Sequence, residues 1–402
     1  MGSTLNLDLL SKAVSGDAAA LRCRRRLQPA GGEGDKVFPP TYAGAVYATE
    51  QRRVKDQATG QWQTVPCVIL DSVQSQANRM EEALQAAIDE GTLRMPLVVV
   101  DFEGARAQLL EPVGKVSSLQ APHRIVDAIL RDSVHDGKPF RASTVGGELD
   151  RASVAFATPL LRLCPQALLF GMWDSTGPKG GLGTKFERAV VSEVVGIHAE
   201  RVEKNRGIRR DPLQVRAAVK VQRGADHQWR VAEESAGRGM LSPSEINHSS
   251  VPFDNDNGGV TVDYAEQTTT LSLIALRRLR FPLTEGAAAE KEVNEAARTV
   301  LAAMGLYAAA LAFGPGMDLR SRCLLFPEEP MRWEVLEKPG EAPQQFSLDK
   351  KAAENLLTDA IAAAKKMKLP WDEEPVVLTP SAQLVQLVRK SQELAVAEAE
   401  AD

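Results

Sequence analysis

"ALRCRRRLQP", Ala20–Pro29, decides how the rest of the chain is read. Taken with a period of two, it places Leu21, Cys23 and Leu27 on one face and Arg22, Arg24 and Arg26 on the other. The apolar face asks for a packed layer. The arginine face has two readings: a nucleic-acid surface of the kind that ferredoxin-like RNA binders present, or a solvated edge strand whose charges oppose aggregation.

A turn-rich stretch, "AGGEGDKVFPPTYAG", follows, and then a hairpin in which "AVYATEQRRV" and "QWQTVPCVIL" flank "KDQATG". "DSVQSQANRMEEALQAAIDEG" has the period of an amphipathic helix, with Val73, Ala77, Met80 and Leu84 as its buried stripe. Asp71 and Gln74 have capping-box spacing, and Gly91 marks the stop. "MPLVVVDF" predicts a buried strand, "APHRIVDAILRDSV" a helix opened by Pro122, "DRASVAFATPLLRLC" a mixed and mainly helical stretch, and "QALLFGMW" a strand. "ERAVVSEVVGIHAERV" is strand-like, a second hairpin is expected around Gly224, and residues 236–259 form a polar excursion. A strand in "TTTLSLIALRRLRFP", a long Ala-rich helix, strands in "SRCLLFP" and "RWEVLE", a helix in "SLDKKAAENLLTDAIAAAKKMK" and a frayed tail, "AVAEAEAD", complete the chain. There is no internal repeat. Short strands interleaved with helices and interrupted by hairpins predict an α+β protein with a ferredoxin-like βαββαβ core and insertions, rather than a regular doubly wound sheet.

The chain has 402 residues, 44% of them hydrophobic and 25% charged, which fits a packed globular protein of two or three domains. With aromatics at 5%, a nucleic-acid binder would lean on backbone contacts more than on stacking. Cys23, Cys67, Cys164 and Cys323 form no CxxC pair, which argues against a zinc site and a disulfide framework. The start, "MGSTLNLDLL", lacks the pattern of a signal peptide, and Asn6 replaces the Ser or Thr of a myristoylation signal. No run reads as membrane-spanning, so a cytoplasmic protein is expected. The formal net charge of −5 conceals an uneven distribution. Lys179–Arg223 holds 11 Lys/Arg against 5 Asp/Glu, a local +6, while Leu324–Asp402 holds 9 against 15, a local −6. A basic middle and an acidic end suit a chain with one polyanion-binding face.

Three groups of residues could carry chemistry. In "FGMWDSTGPKGGLGTKFERA", Phe170–Ala189, a Walker loop is excluded by Thr184 before Lys185, Phe186 after it and a β-branched continuation. Backbone N–H groups around Gly180, Gly181 and Gly183, with Lys179 and Lys185, can instead hold a sugar-phosphate backbone. At the helix start, Gln74 with Asn78 and Ser75 with Arg79 share faces suited to phosphate or ribose. The five histidines, His123, His135, His198, His227 and His248, have no metal-ligand spacing, and "DNDNGG" does not complete a calcium loop.

"FPPTYAG", "ILDSVQSQANRMEEAL", "APHRIVDAILRDS", "PFRAST" and "KGGLGTKFERAVVSEVVG" together resemble the CRISPR-associated RAMP family of type I-G (formerly I-U) systems, the Cascade backbone subunit, most closely over Leu21–Gly196. The resemblance implies a ferredoxin-like (RRM-like) palm over residues 19–385 with an inserted hairpin thumb and helical additions. The thumb is expected at 44–70, with 200–262 as a second insertion, a short segment at 1–18 and an acidic tail at 386–402. Because nothing in the sequence pairs a histidine with a second acid or nucleophile, a non-catalytic protein is expected, and no cofactor is expected. Several head-to-tail copies would bind guide RNA along its backbone, beside other Cascade subunits, and present it to target DNA. The glycine loop would hold guide phosphates, Gln74, Ser75, Asn78 and Arg79 would sit nearby, and Arg22 and Arg24 would line the palm. His123 and Arg124 match the family motif without an assigned role. The alternatives are a RAMP endoribonuclease acting through His123 or His135 and a nucleotide-dependent enzyme using the glycine loop.

Overall fold

A computed structural model describes residues 3–44, 46–55, 59–177, 183–202, 206–223, 228–232, 240–254 and 258–401. The main sheet is built from β1 (Ala20–Pro29), β2 (Thr49–Lys55), β3 (Trp62–Asp71), β4 (Val190–Ile197), β5 (Tyr264–Ser272), β6 (Leu324–Pro327), β7 (Arg332–Leu336) and β8 (Gln344–Ser347). Its order is β8-β7-β1-β5-β4-β3-β2, with β6 also pairing with β1. Neighbours from β8 to β2 are antiparallel, and Ser3–Thr4 adds a parallel end to β8. The four long helices are α1 (Val73–Asp89), α2 (Lys291–Phe313), α3 (Lys350–Lys366) and α4 (Ala382–Ala401). The protein is α+β, as the sequence predicts.

The alternation read in "ALRCRRRLQP" holds, with one addition. Leu21, Cys23 and Leu27 are buried, and so is Arg25, which is only 4% exposed. Its guanidinium lies under the helix layer, donating to Phe313 O on α2 at 2.8 Å and to Gln267 Oε1 on β5 at 2.8 Å. Burial lowers its pKa from the ordinary arginine value. From Gln267 a polar seam runs through the core. Gln267 Nε2 donates to Gln76 Oε1 of α1 at 3.0 Å, Ser192 Oγ of β4 donates to the same oxygen at 2.8 Å, and Gln76 Nε2 donates to Asp71 Oδ2 at 2.6 Å. Around it Leu21, Val68, Leu70, Met80, Leu84, Val194 and the middle of α2 fill the space between sheet and helices.

Helix α2 is apolar on nearly every side. By length and composition it could cross a membrane, with a mean hydropathy of 1.5, but 78% of that window is buried inside the protein, which makes it the central helix of the core. A second sheet runs Lys138–Pro139, Ser133–His135, Val376–Pro380, Val98–Asp101, Lys115–Ser117. Its middle strand comes from the C-terminal region and pairs in parallel with Val98–Asp101.

Four expectations change. Helix α1 is capped by Ser72, whose side chain accepts from Ser75 N, and Asp71 ends β3 with its carboxylate in the seam. The segment read as a helix after Pro122 is a 3-10 turn, Arg124–Val126, and a one-turn helix, Ala128–Arg131, because Asp127 interrupts it as a new cap. "QALLF" is helical (Pro165–Phe170): Pro165 at the first turn opens it, and Gly171 at φ +85° ends it. The C-terminal stretch is the helix α4, held to the body by Gln392, which accepts from Leu110 N at 2.9 Å.

Replacing Gln267 with Leu removes the amide that partners Arg25, Gln76 and Ser192. We expect a loss of about 2–4 kcal/mol in urea unfolding, partly recovered when Arg25→Met is added. An unchanged midpoint in the single variant would show that the seam does not hold the layers.

Candidate nucleic-acid interface

Side chains alternate along a strand, so burying Arg25 under the helices sends Arg22, Arg24 and Arg26 to the opposite, uncovered face. The register carries that face across the sheet. Arg24 lies opposite Thr268, Arg26 opposite Glu266, Glu193 opposite Thr268, and Arg52 opposite Val65. Val65, Cys67, Val195 and Ile197 form a small separate apolar cluster beneath it. The end of the β2–β3 hairpin borders a groove of about 910 Å³ on this face. Its charged lining is Arg24, Arg26 and Arg52, with Arg53 and Lys55 at the hairpin end, where alternation turns them away from Arg52's face, against Glu193 and Glu266, an excess of three positive charges.

Several of these cations are partnered. Arg24 Nη2 meets Glu266 Oε2 at 2.7 Å, and that bond raises the Arg24 pKa above its ordinary value. Arg52 bridges Glu193 at 2.7 Å and Glu50, with the Glu193 bond the larger cause of its raised pKa. Arg26 lies over the Tyr264 ring at 4.0 Å, and Arg53 over Trp62 at 5.5 Å. Arg22, outside the groove lining, pairs with Glu334 at 2.6 Å. These pairs are half-buried and open to water on the groove side, where ion pairs contribute little to stability.

The structure separates the other residues singled out in the sequence. Gln74, Ser75, Asn78 and Arg79 start α1, on the helix side of the sheet and away from Arg24. Gln74 and Asn78 are exposed and Ser75 is half-buried. Arg79 is used internally, donating to Asp71 Oδ2 at 2.9 Å and Leu319 O at 2.7 Å. Arg124, at φ +55°, makes a bidentate pair with Glu81 (2.7 and 2.6 Å) and donates to Gly171 O at 3.0 Å. It ties α1 to the segment entering the glycine loop, while burial raises the Glu81 pKa against the pull of Arg124. His123 is exposed next to it.

Lys179, Gly180 and Gly181 lie outside the described residues. The base of their loop is a short hairpin, Met172–Trp173 with Lys185–Phe186, closed by Asp174 N donating to Thr184 O at 3.0 Å. Gly183 is half-buried, and Lys185 is exposed with its Nζ 5.8 Å from the Trp173 ring centre. A Cβ at Gly177 would lie 2.4 Å from Asp174 Oδ2, so a larger residue there would have to displace a carboxylate bound by Arg141 at 2.7 Å. This loop precedes the Val190 end of β4, whereas Arg26 and Tyr264 lie toward the Ile197 end.

Sequence reasoning put Arg26 on the arginine face without singling it out, and it did not select Arg52, Arg53, Trp62 or Tyr264. Alternation in "TEQRRVK" marks Arg52 and Arg53 as charges on opposite faces, but only the β3–β4 pairing brings this hairpin beside β1 and β5.

Residues 21–201 match the family described as CRISPR-associated protein GSU0053. No curated protein matches the chain. Over the matched residues, which include β1 to β4, the chain is similar to that family. The similarity supports a CRISPR-associated protein with a role in CRISPR defence.

Glu81→Ala would leave Arg124 charged and unpaired in a largely buried site. We expect it to lower stability by about 3–5 kcal/mol, whereas exposed Gln74→Ala and Asn78→Ala stay within about 0.5 kcal/mol of wild type. Thermal and urea unfolding would check this, and a wild-type midpoint for Glu81→Ala would remove Arg124 from its bracing role.

Proposed function

We propose that the chain is a non-catalytic, guide-RNA-binding backbone subunit of a type I CRISPR surveillance complex of the RAMP class, and that the RNA backbone runs through the groove on the open sheet face. The observation that carries this reading is the excess of three cations in that groove. The family similarity supplies the CRISPR setting.

The topology supports a ferredoxin-like palm. With β1, β4, β5 and the β6/β7 pair as strands one to four, the sheet order is four-one-three-two, all antiparallel. Helix α1 falls between strands one and two, and α2 between three and four. Two insertions are candidates for the thumb. The 44–70 hairpin extends the sheet through β3, and only its end runs past β4. The 200–262 insertion leaves between β4 and β5 as nested antiparallel pairs: Glu200–Arg201 with Val260–Thr261, Arg206–Arg209 with Val251–Asp254, and Val221–Arg223 with Trp229–Val231. Such a ribbon has the shape of an arm, with Arg209, Arg210, Arg216 and Lys220 exposed along it. We assign the thumb to this arm and the palm groove to the 44–70 hairpin.

In this role the protein works in the cytoplasm, several copies lie head to tail on one guide RNA beside other subunits, and pairing of the guide reads the target DNA. Backbone contacts accept any guide sequence.

The test is a salt titration of binding to single-stranded RNA, by the full chain alone and after co-expression with a CRISPR array. Each phosphate contact contributes about −0.7 to the slope of log K against log salt. Arg53→Ala/Lys55→Ala should therefore flatten the slope by roughly 1.4, alike for unrelated RNA sequences, while Gln74→Ala leaves it unchanged. An unaltered slope moves the RNA out of the groove. Discrete cleavage products from precursor RNA without added metal, lost in His123→Ala or His135→Ala, would overturn the non-catalytic assignment.

A further inference from the structure

Aromatic residues make up only 5% of the chain, yet two rings, Tyr264 and Phe326, lie on the open face, and a third, Trp62, borders its groove at the end of the β2–β3 hairpin. Trp62 is 60% exposed and lines the groove. Phe326 is 63% exposed and lies directly opposite Gln28, which shares the alternation of Arg24 and Arg26. Tyr264 lies between them, half-buried beneath the guanidinium of Arg26. Single exposed apolar side chains are ordinary on a protein surface. Two of these differ in their company: Trp62 has the Arg53 guanidinium 5.5 Å from its ring centre, Tyr264 has Arg26 at 4.0 Å, and the cations belong to a groove that already carries excess positive charge. A groove that held phosphates alone would gain nothing from presenting rings to water. Rings beside cations match a ligand whose phosphates and flat, unpaired bases alternate along one strand.

We infer that Trp62 and Phe326 are base-stacking stations for single-stranded RNA, with the Arg26–Tyr264 stack as a third, planar cationic station between them. This rests on the reading of the groove as an RNA site and adds contacts to bases that the backbone contacts do not need. Trp62 enters from the β3 side of the sheet and Phe326 from the β6 side, so they engage different bases of the same strand. Stacking uses the faces common to all bases, so it keeps guide sequence free while rejecting paired strands, whose base faces are covered by their own neighbours.

The experiment compares two labelled oligomers of equal length and charge, oligoadenylate and its abasic ribose-phosphate counterpart, by fluorescence anisotropy on the full chain. Wild type should bind oligoadenylate the more tightly. Trp62→Ala and Phe326→Ala should each weaken oligoadenylate roughly 5- to 150-fold, with abasic binding and the salt slope unchanged, and Trp62→Phe and Phe326→Tyr should restore most of the loss. Both side chains are exposed, so the variants should unfold at the wild-type temperature. Equal wild-type affinity for the two oligomers, or alanine variants that bind oligoadenylate like wild type, overturns the stacking stations and leaves the phosphate groove intact. Binding of neither oligomer overturns the groove itself, and this inference with it.

Discussion

A single buried arginine sets which way the sheet faces. Among the described residues, no carboxylate lies against Arg25. It is held by an amide oxygen of Gln267 and the carbonyl of Phe313, and the nearest acid in the seam, Asp71, is reached only through Gln267 and Gln76. Every member comes from a different element: β1, β5, α1, β4, the end of β3 and the end of α2. Slipping any strand by one residue would turn its seam residue to the open face and leave the others unpaired in a dry core. The seam therefore specifies register more sharply than the apolar residues around it, which could repack. Register in turn decides that Arg24 and Arg26, rather than Arg25, face outward.

The open face shows how a chain of net charge −5 can still present an attractive surface to a polyanion. Glu334, Glu266 and Glu193 each answer an arginine. These pairs hold long side chains in place without a large stabilising contribution, and they leave Arg53 and Lys55 at the hairpin end as the outermost positive charge. A polyanion approaching the groove would meet that end first. The groove keeps an excess of positive charge, and its partnered arginines are held in place by the carboxylates beside them.

Much of this was legible in the sequence. β1, the 44–70 hairpin, α1, α2 and the last strands follow from clean periods of two and 3.6, and the α+β class follows from their order. The misread elements share a cause. "QALLF" is uniformly apolar, so its period is silent, and the proline that starts it as a helix had to outweigh a strand-like composition. Between 122 and 151 the backbone is cut into single turns by caps such as Asp127 and Ser143, too short for any period to register. The fate of individual arginines was less accessible still. Arg25, Arg79 and Arg124 look like their neighbours in sequence, and only tertiary partners (Gln267, Asp71 and Glu81) separate the bracing arginines from those left at the groove.

The family similarity and the groove overlap unevenly, and the mismatch has a physical meaning. All five cations of the groove, and Trp62 with them, fall within residues 21–201. Beyond that span, β5 contributes Glu266, Tyr264 and Thr268, and β6 contributes Phe326. Attraction for a polyanion is thus built into the part of the chain that resembles CRISPR-associated proteins. The part without a match supplies a carboxylate that restrains Arg24 and a ring that carries Arg26. Long-range charge needs only cations at the groove, whereas a side-chain partner must be placed within a few ångströms, so β5 and β6 are where one protein's groove can be tuned without removing its excess positive charge.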